Sequence, residues 1–354
     1  MIRSLSLFMI LSNPALPFHP ATPSGWNGNP FEGKEFKYER DPFRPDWSVL
    51  FKMIFSRNPQ RAEKKADTWT PAVNSDVNYL DDRAKDWIVW LGHACFLFQL
   101  NGVRFLVDPQ LTDMPFVPRR VFPPFTYEEI RGVDYLLLSH DHRDHVDEKC
   151  IRAICKNNPI KKILCPLKLS DVVGKWVGDT PIEEAAWYQT FNTAGTGVRI
   201  TFLPSRHWCR RGLTDFNRVL WGSFMLEVLG QGAAAGARGV GGAKAQKTIY
   251  FGGDSAKTTY WKEIGEMFPN IDVAMLGIGA YKPEFMMQEN HANPAEAYQG
   301  FLDLGAKYWW PMHHGTYDLS NEPASEPITW ASKLMKENGM GERLVQPALG
   351  EAWW

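Results

Sequence analysis

The sequence lacks any run of 18 or more apolar residues, the length a helix needs to cross a bilayer, so no membrane-spanning helix is predicted. Cysteine is scarce. The five cysteines (Cys95, Cys150, Cys155, Cys165 and Cys209) are odd in number and show no CxxC spacing, which argues against a disulfide scaffold and for reduced thiols. Neither charge is in excess: 39 basic against 40 acidic residues leave a formal net charge of −1. With no basic stripe, nucleic acid is not expected as a partner. A convincing export signal is wanting too. Met1–Ser12 carries one positive charge and a short apolar stretch, but the proline-rich Asn13–Pro20 offers no small-x-small cleavage site. A cytoplasmic location is expected, with export or peripheral membrane contact as the alternative. Residues 1–18 are expected to lie outside the fold.

The 354 residues are 44% hydrophobic, 13% aromatic and 22% charged, the composition of a soluble globular protein with a large core. The 15 tryptophans are unusually many and fit either an aromatic-lined cleft or extensive core packing. Nothing in the composition breaks residues 19–354 into separate domains. The stretch from His19 to about Lys85 is expected to be an irregular, partly helical extension wrapped around a core that begins near Trp87. Gly230–Gln246 (GQGAAAGARGVGGAKAQ) is of low complexity and is expected to be a flexible loop between two strands.

Within the core, Trp87–Leu100 is β-branched and aromatic, broken at Gly92. Asn101-Gly102 then signals a two-residue hairpin into Val103–Val107. Short apolar runs predict strands at Val133–Leu138, Lys162–Cys165, Gly197–Leu203, Leu220–Leu229, Thr248–Phe251, Ile271–Leu276 and Tyr308–Pro311. Helices are predicted at Lys149–Asn157, Leu169–Val177 and Pro294–Leu304. Hairpins followed by strands alternating with helices, twice over, predict an α/β sandwich of two similar halves.

The chemistry concentrates at Ser139–Asp147 (SHDHRDHVD), directly after a predicted buried strand. His140, His142, Asp144 and His145 fall within six positions, and their nitrogen and carboxylate donors suit zinc, with iron or manganese also possible. One tight loop cannot direct four side chains comfortably to one point. It can divide them, His140 and His142 on one ion, Asp144 and His145 on a neighbour. Two ions need further ligands, and three candidates stand at later strand ends: His207 in PSRHW, Asp254 in FGGDS and His313 in PMHHGT. Asp108, after the hairpin, is placed to accept an N–H from a ligating imidazole and fix its tautomer, although Asp-Pro also makes a simple turn. His93, following Gly92, is read as structural.

In that order and context, the chain from Trp87 to about Tyr317 resembles the metallo-β-lactamase superfamily, whose mark is HxHxDH followed by His, Asp and His at later strand ends. WLGHACFLF, FLVDPQLTD, SHDHRDHVD, PSRHW, FGGDSA and MHHGTYDLSNEP are similar to the branch holding N-acyl-phosphatidylethanolamine-hydrolysing phospholipases D and ascorbate-phosphate lactonases. HPATPSGWNGNP (His19–Pro30) is similar to the N-terminal stretch of the phospholipase-like members. The resemblance implies a four-layer αββα sandwich with an irregular N-terminal extension. It implies two divalent ions, one on His140, His142 and His207, the other on Asp144, His145 and His313, with Asp254 bridging. A hydroxide shared by the ions would be the nucleophile, and His291 would stabilise the oxyanion or protonate the leaving group. It also implies hydrolysis of a small-molecule or lipid phosphodiester, with lactone or other acyl hydrolysis as the alternative, or a non-hydrolytic metal protein. The second histidine, His314, departs from the phospholipase-like pattern, which has Trp after the last ligand, and leaves the choice between His313 and His314 to position alone.

Overall fold

The Asn101-Gly102 turn has positive φ at both residues (51° and 72°), the backbone that joins twisted antiparallel strands tightly. It links β5 (Phe96–Leu100) to β6 (Val103–Val107), with Leu100 opposite Val103. The computed structural model that shows this describes residues 8–44, 48, 52, 56–229 and 245–354. β4 (Trp87–Trp90) pairs antiparallel with β5, and beyond β6 the sheet turns parallel through β7 (Tyr135–Leu137), β8 (Lys162–Pro166) and β9 (Ile182–Ala185). β15 (Ala352–Trp353) returns to pair with β4, completing seven strands in the order β15-β4-β5-β6-β7-β8-β9.

The second sheet repeats the pattern. β10 (Val198–Leu203), β11 (Ser223–Leu229) and β12 (Ala245–Phe251) are antiparallel, and β12, β13 (Val273–Gly277) and β14 (Tyr308–Met312) are parallel, in the order β10-β11-β12-β13-β14. Central strands such as β5, β7 and β11 are buried at every residue, as expected where both faces are covered. Between the sheets Phe96 meets Phe251 and Trp310 edge-on, with ring centroids 6.1 and 5.4 Å apart. The helix Glu148–Asn157, capped by the Asp147 side chain at Lys149 N, connects β7 to β8. Tyr260–Met267 and Pro294–Asp303 connect β12 to β13 and β13 to β14; Asn293, Pro294 and Glu296 form a capping box with proline in the first turn. These layers make the mixed α/β sandwich expected, with the two halves alike in strand order.

Several local expectations need correction. Residues 8–18 are not outside the fold. Phe8–Leu11 is β1, paired with β2 (Asn29–Glu32), which pairs in turn with β3 (Glu35–Phe36). The Asn13 side chain donates to Glu184 O (2.7 Å), and Gln189 Nε2 donates to Asn13 O and Leu16 O (2.7 and 2.9 Å). Those partners lie more than 170 residues away, beyond any local pattern. The stretch Leu169–Val177 is not one helix: Ser170–Val173 gives way to a 3₁₀ turn at Gly174–Trp176. Of the expected loop 230–246, residues 230–244 lie outside the described residues, while Ala245 and Gln246 open β12. β9, β15 and the helices Tyr260–Met267 and Glu326–Glu337 were not expected from sequence pattern.

Candidate metal centre

The strands that bear the motifs all end at one edge of the sandwich. β6 ends at Asp108, β7 leads into Ser139–Asp147, β10 into His207, β12 into Asp254 and β14 into His313. The carboxyl edge of a parallel sheet is where α/β folds assemble their sites. Asp108 and His313 adopt left-handed backbone conformations (φ 42° and 61°), which non-glycine residues hold only when their surroundings over-determine them.

Asp254 stands at the centre. Its Oδ2 lies 3.8 Å from His140 Nε2, 3.2 Å from His145 Nε2, 3.6 Å from His207 Nε2 and 3.2 Å from His313 Nε2. On one side His142 Nδ1 lies 3.1 Å from His207 Nε2; on the other Asp144 Oδ2 lies 3.4 Å from His313 Nε2 and 3.7 Å from His145 Nε2. Two donor groups result: His140, His142, His207 and Asp254, and Asp144, His145 and His313 with His93 beside them. All seven residues expected as ligands are thus brought together.

These donors fit a metal on two counts. The His140 and His145 Nε2 atoms, both Asp254 carboxylate oxygens and His313 Nε2 are buried without a hydrogen-bond partner, an arrangement that costs several kcal/mol unless a cation is bound. Donors sharing a tetrahedral zinc at bond lengths of 2.0–2.2 Å sit about 3.3 Å apart, close to the separations here. Burial alone would raise Asp254, yet the His145 and His313 imidazoles hold its carboxyl well below the usual range. Conversely, burial works against protonation of His313, but Asp254 and Asp144 push it up to about 9. Burial drives His140 and His207 well below the ordinary histidine value.

The ligands are themselves oriented. Asp108 is fully buried and accepts from Ser139 N (2.8 Å), Ser139 Oγ (2.6 Å) and His145 Nδ1 (2.8 Å), the position expected of it. Ser139 Oγ also lies 2.9 Å from His140 Nδ1, and Asn290 O accepts from His207 Nδ1 at 3.0 Å. Arg211 donates to Asp141 O and Val146 O (2.7 and 2.9 Å), bracing the ligand loop from behind. Ser139, Asn290 and Arg211 carry no donor signature in the sequence, since they hold the ligands through bonds that only folding brings about.

His291 lies with its Nδ1 3.9 Å from Asp254 Oδ2 and its ring facing His207 and His313. Burial lowers its pKa to about 4. His314 is turned away: its ring stacks between Trp69 and Trp90 (centroids 6.0 and 5.3 Å), so position alone had picked the residue that meets Asp254. His93 had been read as structural, yet its Nε2 lies 3.1 Å from Asp144 Oδ2. The signal available was the histidine count: of nine histidines, seven reach this cluster.

A cavity of about 850 Å³ opens onto Asp144, Asp254, His142, His291 and His313. Phe43, Trp208, Phe216, Phe285, Met286 and Leu319 make its walls apolar; Arg44, paired with Glu35 at 3.4 Å, Arg210 and Glu289 are the charged residues on its wall away from the cluster. Trp208 packs edge-on against His142 at 4.9 Å.

Residues 103–314 match a family model described as "Beta-lactamase superfamily domain". The chain is 29% identical over 334 residues, 88% of each chain, to N-acyl-phosphatidylethanolamine-hydrolyzing phospholipase D 1 of Caenorhabditis elegans. It is 25% identical over 244 residues, 66% of this chain and 84% of the other, to a metal-dependent hydrolase of Aeropyrum pernix. Among solved structures, isothiocyanate hydrolase from Delia radicum gut bacteria superposes with a TM-score of 0.57 at 16% identity, covering 76% of this chain and 98% of its own.

Proposed function

The chain belongs to the β-lactamase superfamily as a metal-dependent hydrolase, and from that premise we propose that it is a binuclear phosphodiesterase acting on amphiphilic substrates of the N-acyl-phosphatidylethanolamine type. The observation that carries this reading is a single cavity with apolar walls that ends on both donor groups and carries two arginines. Its volume lies within the range of small-molecule sites. Aromatic and methionine walls suit acyl chains; Arg210, set over the Trp208 ring, suits an anionic headgroup.

His140, His142 and His207 would hold one ion, Asp144, His145 and His313 the other, with Asp254 shared between them. When bound, two divalent ions, zinc by donor type, would supply Lewis acidity to a phosphoryl oxygen and lower the pKa of water. Asp108 fixes His145 with its proton on Nδ1, leaving the Nε2 lone pair facing inward. His291, neutral at pH 7, serves as a hydrogen-bond donor to charge developing on the phosphate, rather than as a source of a full proton. Trp208 and Phe216 exclude bulk water beside His142, strengthening every electrostatic contact in the site.

Parallel assays of zinc-loaded protein on an N-acyl-phosphatidylethanolamine, bis-p-nitrophenyl phosphate and a panel of lactones test the proposal. Turnover of the phosphodiesters, fastest for the acylated one, is expected. Turnover of lactones alone would refute it.

A further inference from the structure

Three of the seven groups assigned to an ion have an orienting partner of this kind: Ser139 for His140, Asp108 for His145 and Asn290 for His207. For Asp144 that partner is His93, whose Nε2 is the one group among the described residues in an aligned hydrogen bond with its carboxylate (3.1 Å to Oδ2). The same Oδ2 faces His145 and His313. A carboxylate oxygen has two lone pairs, so one can take the His93 N–H while the other points to a cation.

His93 is itself held rigidly. It sits in the tight turn between β4 and β5, 1% exposed, at φ 54°, a conformation that costs a residue with a side chain and persists only where neighbours enforce it. Its N–H donates to Thr316 Oγ1 (2.7 Å), and its carbonyl accepts from Trp90 Nε1 (2.9 Å) and from the backbone N–H of His313 (3.1 Å). Its ring lies 3.9 Å from the His313 ring and edge-on to Tyr317 at 5.2 Å. Every tie of His93 therefore runs to the Asp144, His145 and His313 side of the cluster, and none to His140, His142 or His207.

We propose that His93 is a positioning residue for the second ion: its Nε2–H fixes the Asp144 carboxylate with Oδ2 turned inward, and so sets the affinity of the Asp144, His145, His313 and Asp254 site without touching the other. The inference rests on the binuclear reading and adds an asymmetry to it. Loss of an outer partner of this kind weakens metal binding about 10–100-fold.

Titration of metal-free protein with zinc against a chromophoric chelator, repeated with cobalt(II) followed by its absorption bands, reads each ion separately. In His93→Phe, which keeps a ring against His313 but has no donor, the equivalent held by Asp144, His145 and His313 should lose affinity about 10–100-fold. The other should stay within about twofold, since no orienting bond of its ligands is changed. His93→Gln, whose amide reaches the Nε2 position, should recover most of the loss. His93→Asn suits the left-handed backbone but falls short of Asp144, and should behave like His93→Phe. It carries the test if the aromatic variant fails to fold. Two ions bound with unchanged affinities, or both weakened alike, would overturn the role of His93 and leave the binuclear reading standing. A wild-type protein that takes up one ion only would overturn both.

Discussion

Asp108→Asn isolates the carboxylate that orients His145. The backbone at Asp108 is left-handed (φ 42°), a conformation asparagine adopts as readily as aspartate, so the change strains nothing there. The carboxylate takes three hydrogen bonds, Ser139 N on Oδ1, and Ser139 Oγ with His145 Nδ1 on Oδ2. An amide has a single acceptor oxygen. If that oxygen keeps Ser139 N, the NH₂ meets His145 Nδ1–H donor to donor. The imidazole then moves its proton to Nε2, the atom that faces Asp254, and loses the lone pair needed by a metal. If the amide flips, Ser139 N–H is left buried without a partner. Either way about 3 kcal/mol is lost, the scale of one or two hydrogen bonds to a charged group. With an unfolding entropy of about 2.1 cal/mol/K per residue, a chain of 354 residues converts this into roughly 4 °C of Tm. The zinc equivalent held by His145 should lose about 10–100-fold in affinity. Scanning fluorimetry on metal-free protein and chelator competition on loaded protein measure the two effects. A variant with wild-type affinity for both ions would refute the argument that Asp108 sets the His145 tautomer.

Other consequences can be checked as directly. His313→Ala should cost one equivalent of bound metal by elemental analysis, whereas His314→Phe, in its stack between Trp69 and Trp90, should keep both. In metal-free protein His313 is raised to about 9 and His145 well above its ordinary value. A raised histidine stabilises the fold fully below its unfolded pKa of about 6.5 and ceases to as pH climbs through the folded value. The Tm of metal-free protein should therefore fall between pH 6.5 and about 9, and zinc loading at pH 7 should release protons to an indicator dye. Phe285→Ala removes apolar wall worth about 1.5–3 kcal/mol. It should lower kcat/KM for an acylated phosphodiester roughly 10- to 100-fold and barely change that for bis-p-nitrophenyl phosphate. Arg211→Met unpairs the carbonyls of Asp141 and Val146, at about 1–3 kcal/mol each, and should lower Tm with metal bound or not.

The sequence made the donor set legible because its chemistry is local: four donors in one loop, and single donors after buried strands. Strands buried on both faces, such as β7 and β11, were visible as apolar runs, though their ends shifted by one to three residues where flanking apolar residues continue past the last ladder bond. β9, with three of its four residues only half-buried, has no such run and was invisible. β1 pairs with β2, a strand with no apolar run of its own, and the ties of Asn13 to Glu184 and of Asn13 and Leu16 to Gln189 depend on partners more than 170 residues away. The same limit hid His93. It follows Gly92, the break in a β-branched and aromatic run, and only folding lays that break against Asp144 and His313.

Each donor group draws on both halves of the chain: His140 and His142 face His207 and Asp254, and Asp144 and His145 face His313 and Asp254. An ion in either position would therefore be a rivet between the two sheets. With both in place, the halves pulled apart from their ends could not separate without rupturing two coordination spheres at once. The centre that does the chemistry would also be the mechanical clasp of the molecule, and metal starvation would loosen the protein as well as silence it.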